Sequence, residues 1–299
     1  MYQVKVPATS ANLGPGFDCM GLAVKLYNYV QAQENDQLEI ILKGSYTKNI
    51  STNEDNLVWQ TACLLWQRIG FRPKPLKLVL ENNVPPARGL GSSSTAVVAG
   101  LMIANAVAGY PLQRLDLLSI ATEIEGHPDN VCPAIYGGIT LTVMAEDKII
   151  PRVLTKNPGF KAVVAIPEIL VETEKARKIL PSSVPLKDVT FNASRVGLLV
   201  DAFLREEYEL LAIATQDKVH QNQRASLIPG MPQALQAALQ AGAYGAALSG
   251  SGPTLLAFAP IGREEQIAQK MQKALAAHSL DSTTLTLEID PNGAVLTEI

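Results

Sequence analysis

The sequence predicts a protein of two α+β domains, and three observations lead to that prediction. The chain has 299 residues, about twice the length of an average domain. Strand-like and helix-like segments alternate along both halves of it. The sequence KNPG at Lys156–Gly159 is the clearest break between the halves. We therefore expect an N-terminal domain over residues 1–158 and a C-terminal domain over residues 159–299.

The predicted elements of the N-terminal half follow from hydrophobic periodicity. Apolar and polar residues alternate over 37–43 and 76–81, which is typical of half-buried strands in an antiparallel sheet. Apolar residues three or four apart from residue 58 to residue 69 indicate an amphipathic helix that ends at Gly70. The other elements predicted for this half are helices over 93–108 and 112–125 and a strand over 139–144.

The C-terminal half repeats the alternation of strands and helices. It begins with an apolar strand over 162–166. We expect it to end in a β-hairpin of residues 283–289 and 294–298, joined by the turn sequence DPNG. The predicted elements between them are helices over 172–180, 186–204, 206–215 and 232–241, a pair of strands near 245–258, and a helix over 263–277.

Composition and charge argue against several classes of partner. Hydrophobic residues make up 47% of the chain, which is enough for a sizeable core. The formal net charge is −3, so the chain has no basic field that would attract nucleic acid or an anionic membrane surface. Its three cysteines lack a CxxC spacing, which argues against a disulfide framework and favours the reducing cytoplasm. The most apolar stretch, 95–109, is shorter than the roughly 20 residues that cross a bilayer, and the N-terminal residues show no signal-peptide pattern.

Residues 85–95, with the sequence PPARGLGSSST, form a glycine-rich loop between a predicted strand and a predicted helix. Glycines allow the backbone N–H groups of such a turn to point inward. Those groups and the positive end of the helix dipole form a cradle for phosphate, where the three serines can donate hydrogen bonds or ligate Mg²⁺. The spacing is neither that of a P-loop nor GxGxxG, which argues against a dinucleotide-dependent oxidoreductase. A serine-capped loop without a ligand is the alternative.

Two further segments combine glycine with small polar residues. Residues 8–18 have the sequence ATSANLGPGFD and directly follow the first predicted strand. Asn12 and Asp18 are the side chains in this segment that are able to hold a ligand. Residues 246–254 have the sequence AALSGSGPT and lie between a helix and an apolar strand. By itself this last segment is more typical of an ordinary turn.

Taken together, the three segments resemble the three motifs of the GHMP kinase superfamily, in the same order and at similar separation. The sequence VPATSANLGPGFDCMGLA at residues 6–23 is similar to the form of the first motif in the homoserine kinase family. The sequences HPDNVCPA at 127–134, NASR at 192–195 and HQNQRASLIPG at 220–230 also resemble segments of that family. The resemblance covers essentially the whole chain.

The resemblance implies an N-terminal domain of the ribosomal-protein-S5 type and a C-terminal ferredoxin-like domain, with ATP between them. It also implies transfer of the γ-phosphoryl group of ATP to the side-chain hydroxyl of L-homoserine in threonine biosynthesis, with Mg²⁺ and a homodimer. Another small-molecule kinase of the superfamily and an inactive nucleotide-binding regulator are the alternatives. Carboxylates at Asp18 and Asp129 argue against substrates without an ammonium group. The intact glycines, Ser93 and Glu125 argue against an inactive regulator.

The resemblance implies the nucleotide site residue by residue. Ser93 and Glu125 are expected to ligate Mg²⁺, which prefers oxygen ligands; the alternative for Glu125 is a solvated helix carboxylate. Asn56 is expected to line an adenine pocket, and Arg88 either binds phosphate or braces the loop from outside. The residues expected to hold the triphosphate are Pro86, Ala87, Arg88, Gly89, Leu90, Gly91, Ser92, Ser93, Ser94, Thr95 and Ala96.

An amino-acid zwitterion needs a pocket that holds both of its charges. We expect Asp18 and Asp129 to bind the ammonium group, with Asn12 and Asn130 as neutral hydrogen-bonding partners. Arg195 and Arg224 each lie in a family-like segment and are the candidates for the carboxylate, which a guanidinium binds with two hydrogen bonds. A surface ion pair is the alternative for either arginine.

The identity of a general base is the open question. Several related kinases carry an aspartate seven residues before a Gly-Gly pair, and here that position is Asn130, which cannot accept a proton. Asp129, one residue away, is expected to point elsewhere unless the turn rearranges. Asn130 and Arg195 are the residues that we expect to be catalytic. We expect the reaction to proceed by proximity and charge stabilisation, with no dedicated base.

Overall fold

Two sheets, each covered by helices, form the computed structural model, which describes residues 1–146 and 148–299. The strands are β1 (Tyr2–Ala11), β2 (Met20–Glu34), β3 (Glu39–Lys43), β4 (Leu76–Glu81), β5 (Ile139–Met144), β6 (Ile149–Thr155), β7 (Phe160–Pro167), β8 (Gly245–Leu248), β9 (Leu255–Pro260), β10 (Ser282–Leu287) and β11 (Val295–Glu298). The helices are α1 (Leu57–Ile69), α2 (Ser92–Val107), α3 (Arg114–Glu125), α4 (Val131–Tyr136), α5 (Thr173–Lys178), α6 (Leu186–Arg205), α7 (Leu211–Ala214), α8 (Gln221–Arg224), α9 (Met231–Gln240) and α10 (Glu264–Ala276).

The larger sheet holds strands from the N-terminal half and one from the end of the chain. Its order is β11-β1-β2-β4-β3, and β5 extends it from β2 and pairs in turn with β6. Helices α1 to α4 contribute apolar side chains to the core beside this sheet, among them the buried Trp66 and Leu101. β4 pairs antiparallel with β2, as expected, whereas β3 and β4 run parallel, which corrects the expectation of an antiparallel arrangement there. Helix α1 lies between them in the chain, and such a crossover returns the chain to the end from which it started.

The smaller sheet has the order β10-β7-β9-β8. Helices α9 and α10 pack on it through a core that includes Ile267, Met271 and Leu275, and α10 confirms the helix predicted over 263–277. The predicted pairing of strands near 245–258 is also confirmed, as β8 and β9 are antiparallel neighbours. The helix predicted over 206–215 is shorter in the structure, where this stretch contains a 3-10 turn at Tyr208–Leu210 followed by the short α7.

The predicted C-terminal hairpin is wrong. β10 pairs with β7 in the smaller sheet, whereas β11 pairs with β1 in the larger one. The reason is Asp290, in the turn between the two strands, which is 1% exposed and bonded to the N-terminal half. Its carboxylate accepts a hydrogen bond from Tyr27 Oη at 2.7 Å, and its backbone carbonyl accepts one from Gly138 N at 2.7 Å. The chain is therefore drawn across to the larger sheet.

An apolar cluster joins the two sheets. Leu13 and Leu90, from two of the glycine-containing segments, belong to the same buried cluster as Phe160, Phe203 and Phe258 of the C-terminal half. The rings of Phe160 and Phe258 meet edge to face at 5.2 Å, a favourable aromatic geometry. The segments that carry ligand-binding candidates thus rest on a core shared by both halves. Among the described residues, no helix is both long and apolar enough to cross a bilayer.

Candidate active site

The three glycine-containing segments meet at one place. The backbone N–H of Thr9 donates to Leu90 O at 3.1 Å, and that of Gly250 donates to Ala11 O at 3.0 Å. The hydroxyl of Ser249 donates to Gly89 O at 2.5 Å. The three segments, which lie far apart in sequence, therefore form one continuous hydrogen-bonded junction.

Glycine is required where the loop passes closest to its neighbours. Gly89 and Gly91 both have positive φ, at 75° and 68°, in the left-handed region that favours glycine. A Cβ on Gly89 would lie 2.3 Å from Ser249 O, and one on Gly91 would lie 2.0 Å from Thr9 Oγ1. Any other residue at either position would push the segments apart.

A cavity of about 460 Å³ opens at this junction. Most of the predicted site residues line it. They are Asn12, Asp18, Ala87, Arg88, Gly89, Gly91, Ser92, Ser93, Ser94, Glu125, Asp129, Asn130 and Arg224. His127, Gly250 and Ser251, from the HPDNVCPA and AALSGSGPT segments, line it as well. The structure adds Ile124, Thr173 and Arg177, which no sequence signal singled out.

The glycine-rich loop ends at the N-terminus of α2. Gly91 is the N-cap residue, and the first turn of this 16-residue helix contains no acidic side chain. Its unpaired backbone N–H groups and positive dipole end face a region without a competing carboxylate from the same turn, as an anion site requires. The guanidinium of Arg88 donates instead to Pro167 O and Ile169 O. Of the two roles considered for Arg88, this geometry favours bracing the loop against the C-terminal half.

Ser93, Ser94 and Glu125 form an oxygen-rich corner of the cavity. Ser93 Oγ lies 2.7 Å from Glu125 Oε1, and Ser94 Oγ lies 2.9 Å from Glu125 Oε2. Two hydroxyls and a carboxylate beside a phosphate cradle are the donors that Mg²⁺ prefers. The chemistry of these side chains therefore fits a magnesium ion bound together with the phosphates.

Asn28 is a buried side chain that ties the two ends of the glycine-rich loop together. Its Nδ2 donates to Thr95 Oγ1 at 2.7 Å, while its Oδ1 accepts from the backbone N–H groups of Asn83 at 2.8 Å and Val84 at 2.9 Å. Thr95 Oγ1 in turn donates to Ser92 O at 2.7 Å, which fixes the start of α2 relative to Asn28. A lone asparagine in the middle of β2 carries no sequence signal for this role.

Asp18 and Arg177 form an ion pair within the cavity. The two guanidinium nitrogens of Arg177 donate to the two oxygens of Asp18 at 2.7 and 2.9 Å, which is the bidentate geometry of a strong pair. Asn12 orients Asp18 by accepting its backbone N–H at 3.0 Å, and donates its own amide to Gly250 O at 3.0 Å. Sequence reasoning missed Arg177, because nothing in the sequence pattern distinguishes it from the other basic residues of α5.

Arg224 is a buried arginine whose partners are all uncharged. It is 2% exposed, and its Nε and Nη1 donate to Ala176 O at 3.2 Å and Gly250 O at 3.0 Å. Nη1 also lies 3.3 Å from His220 Nδ1. Burial, together with the charge of Arg177, lowers the pKa of Arg224 to about 10. A guanidinium buried in a cavity wall without a bonded carboxylate is an arrangement that an anionic ligand would stabilise.

Phe17 lies between the two arginines. The guanidinium carbons of Arg177 and Arg224 are 5.6 and 5.4 Å from the centre of its ring, within the range of cation–π attraction. The aromatic face partly compensates for bringing two positive charges to the same wall. Beside Phe17, the cavity wall thus presents the carboxylate of Asp18 and two guanidinium groups close together.

Asp129 faces the cavity, which corrects the expectation that it points elsewhere. It is 2% exposed, and its Oδ1 lies 2.5 Å from His127 Nδ1 and 3.3 Å from Asn130 Nδ2. Asn130 also accepts a hydrogen bond from Thr9 Oγ1 at 2.9 Å. Burial lowers the pKa of His127, but the hydrogen bond and charge of Asp129 outweigh it, so the net shift is upward.

Outside the glycine-rich loop, two of the predicted site residues, Asn56 and Arg195, lie away from the cavity walls. Asn56 is the N-cap of α1, where its side chain accepts from Val58 N at 3.0 Å. The guanidinium of Arg195 stacks on Phe191, 3.7 Å from the ring centre. Its neighbour Asn192 is the residue of the NASR segment that reaches toward the site, donating to Asp217 Oδ1 at 2.6 Å. Within the loop, Pro86, Leu90, Thr95 and Ala96 shape the cradle without lining the cavity.

Family models, sequence relatives and solved structures all match this chain to the same group of kinases. The family model of the GHMP kinases N terminal domain matches residues 56–138, and that of the GHMP kinases C terminal domain matches residues 199–277. A homoserine kinase from Desulfitobacterium hafniense is 52% identical over 296 residues, 99% of this chain and 100% of that protein. One from Synechocystis is 43% identical, covering 100% of this chain and 99% of that one. The crystal structure of homoserine kinase from Cytophaga hutchinsonii superposes with a TM-score of 0.87 at 30% identity, over 99% of this chain and 96% of that one.

Proposed function

The chain belongs to the homoserine kinase family of the GHMP kinases, and from that premise we propose how its cavity binds ATP and L-homoserine side by side. The enzyme transfers the γ-phosphoryl group of ATP to the side-chain hydroxyl of L-homoserine, which forms O-phospho-L-homoserine and releases ADP and the hydroxyl proton. One observation carries the assignment of residues. The cavity that contains the glycine-rich loop also contains the Asp18–Arg177 pair and the buried Arg224.

The Asp18–Arg177 pair is complementary to an amino-acid zwitterion. Without substrate, the two side chains neutralise each other. A zwitterion offers an ammonium group to Asp18 and a carboxylate to Arg177, so both charges keep a partner when it enters. Arg224 supplies a second guanidinium for the same carboxylate. Its Nη2 is the nitrogen that would bind the carboxylate, because it has no hydrogen-bond partner among the described residues. This assigns the carboxylate to Arg177 and Arg224, and gives Arg195 no contact with it.

The nucleotide is held by the glycine-rich loop and the start of α2. Backbone N–H groups of the loop and the first turn of the helix bind the phosphates, and Asn28 keeps the two ends of the loop at their spacing. Ser93 and Glu125 would hold Mg²⁺, which when bound neutralises charge on the phosphates. Arg88 braces the loop and makes no phosphate contact in this proposal.

Catalysis in this arrangement comes from positioning. Asp129 forms hydrogen bonds with His127 and Asn130. Because it lies beside Asp18, its negative charge attracts the substrate ammonium group to the same place. Asn130 offers an amide to the reacting hydroxyl, which it can orient but not deprotonate. Proximity of the hydroxyl to the γ-phosphoryl group and the dipoles around it lower the barrier.

Substrate screening tests the proposal directly. ATP turnover is measured with Mg²⁺ and L-homoserine, mevalonate, shikimate or L-serine in turn, and the product is identified by mass. We expect strong selectivity for L-homoserine and formation of its phosphate ester. Turnover of a substrate that lacks an ammonium group would refute the role of Asp18. ATP binding without turnover of any of these substrates would favour an inactive regulator.

Magnesium dependence, location and assembly complete the proposal. The metal is expected to be required for turnover, and its removal by chelation tests this. A cytoplasmic location is supported by three free thiols among the described residues, since cysteines in oxidising compartments are commonly paired. A homodimer rests on the family resemblance, and light scattering of the purified protein tests it.

A further inference from the structure

His220 is a buried histidine that lies behind the cavity wall. It is 0% exposed, and its ring centre lies 5.1 Å from that of Phe17. Asp217 Oδ2 accepts the backbone N–H groups of His220 at 2.8 Å and Gln221 at 2.7 Å. The aspartate thereby fixes the backbone from which the imidazole projects, and the substrate and nucleotide roles described above leave this imidazole without a function.

The partners of the imidazole determine where its proton lies. Nε2 is 2.7 Å from Gly14 O, a carbonyl oxygen that can only accept. Nδ1 is 3.3 Å from Arg224 Nη1, a nitrogen that can only donate. Both contacts are satisfied only when Nε2 carries the hydrogen and Nδ1 keeps its lone pair. Burial lowers the pKa of His220, in agreement with a neutral ring.

The hydrogen bonds of Arg224 show what the lone pair does. Nε donates to Ala176 O, and Nη1 has two hydrogens, one for Gly250 O and one for His220 Nδ1. These three contacts fix the plane of the guanidinium. Nη2 then has both of its hydrogens available in the cavity wall. Without an acceptor at Nδ1, one hydrogen of a buried charged group has no partner, and the plane is no longer held on that side.

We propose that His220 is a positioning residue that acts through Arg224: its Nδ1 lone pair orients the guanidinium so that Nη2 meets the substrate carboxylate. The inference rests on the proposed function, because it takes the carboxylate as the ligand of Arg224. The same ring holds Gly14 in the first glycine-containing segment through Nε2. His220 therefore links the segment that carries Asp18 to the arginine that completes the pocket.

Two isosteric variants separate the two contacts of the ring. His220→Asn can place an amide oxygen near the position of Nδ1 and so preserve the acceptor for Arg224. His220→Gln can place an amide N–H near the position of Nε2 and so preserve the bond to Gly14 O. His278→Gln, at an exposed histidine, is the matched control. KM for L-homoserine, KM for ATP and kcat are measured for each variant, and thermal unfolding verifies that it is folded.

We expect His220→Gln to raise KM for L-homoserine about ten- to a hundredfold, the value of a lost hydrogen bond to a charged group. His220→Asn is expected to restore most of that loss. KM for ATP is expected to stay within about twofold in both variants, since neither touches the glycine-rich loop. Equal effects of the two variants on KM for both substrates, or no effect on KM for L-homoserine, would overturn the proposal.

A spectroscopic measurement tests the tautomer without any substitution. The chain has three histidines, so ¹⁵N-histidine labelling resolves His220 by comparison with the variants. We expect a neutral ring with hydrogen on Nε2 at neutral pH, and a shift of its Nδ1 resonance on adding L-homoserine. A charged ring or hydrogen on Nδ1 would overturn the proposal. Wild-type enzyme inactive on L-homoserine would refute the proposed function and this inference together, whereas failure of the variant pattern in active enzyme would refute the inference alone.

Discussion

Replacement of Arg177 by methionine is the sharpest test of how the cavity recognises its substrate. The variant removes one of the two guanidinium groups assigned to the carboxylate and leaves the apolar part of the side chain. A hydrogen-bonded contact to a charged group contributes about 1.5–3 kcal/mol. Against this, wild-type enzyme must first separate Arg177 from Asp18, a pair whose side chains are 38% and 32% exposed and so contributes at most about 1 kcal/mol.

The difference between these two energies sets the expected result. It amounts to about 0.5–2 kcal/mol, which corresponds to about a two- to thirtyfold rise in KM for L-homoserine. Thermal stability should change little, because the ion pair that is lost is partly solvated. Arg177→Lys keeps the charge but not the bidentate geometry, so its KM should fall between those of wild type and Arg177→Met.

Steady-state kinetics with each substrate varied at saturating concentration of the other measure the effect. Arg205→Met is the control, because Arg205 forms an exposed pair with Asp201 on α6 and lies away from the cavity walls. Unchanged KM for L-homoserine in Arg177→Met would refute the assignment. An equal rise in KM for ATP would show that the variant disturbs the whole cavity instead.

Three further changes test other parts of the site. Glu125→Gln should lower kcat about a hundredfold or more, since metal charge stabilisation contributes several kcal/mol, while Glu123→Gln on the same helix should not; equal kcat values would exclude the carboxylate as a metal ligand. Asp129→Asn should raise KM for L-homoserine much more than it lowers kcat, and a collapse of kcat at saturating L-homoserine would instead identify Asp129 as a base. Against the opposing effect of burial, Asp129 raises the pKa of His127 in the folded protein. Protonated His127 therefore stabilises the fold, fully below the unfolded pKa of about 6.5, and this stabilisation is lost as pH rises through the folded pKa. The gap in unfolding free energy between wild type and His127→Gln in urea titrations should therefore be larger at acid than at alkaline pH; a gap independent of pH would contradict this.

The glycine-rich loop can be predicted from sequence because its signals are local. A strand, glycines in the left-handed region and a helix start follow one another within a single segment, and each constrains the next. Ser93 and Glu125 lie on consecutive helices, so a short connection brings them within 2.7 Å. Asp18 follows from the same kind of local reasoning, since it lies in a segment with few other ligand-binding side chains.

Arg177 and Arg195 show where local reasoning ends. α5 contains Lys175, Arg177 and Lys178, and only the packing of α5 near the first glycine-containing segment brings the middle one to Asp18. In the NASR segment, the conspicuous charge is Arg195, yet the residue that supports the site is Asn192, through Asp217. Choosing between neighbours on a helix requires knowing which face meets the rest of the molecule, and that depends on contacts distant in sequence.

The pairing of β11 with β1 has a consequence for how the molecule assembles. Tyr2 lies opposite Glu298, so β1, which pairs with β2 on one edge, obtains its neighbour on the other edge only from the far end of the described chain. Contacts this distant in sequence form late, because the loop that they close is the longest available. Until β11 arrives, one edge of β1 exposes unpaired backbone groups to other chains. Removal of residues 295–298 would thus affect the domain that holds the glycine-rich loop, and the variant would be prone to associate through that edge.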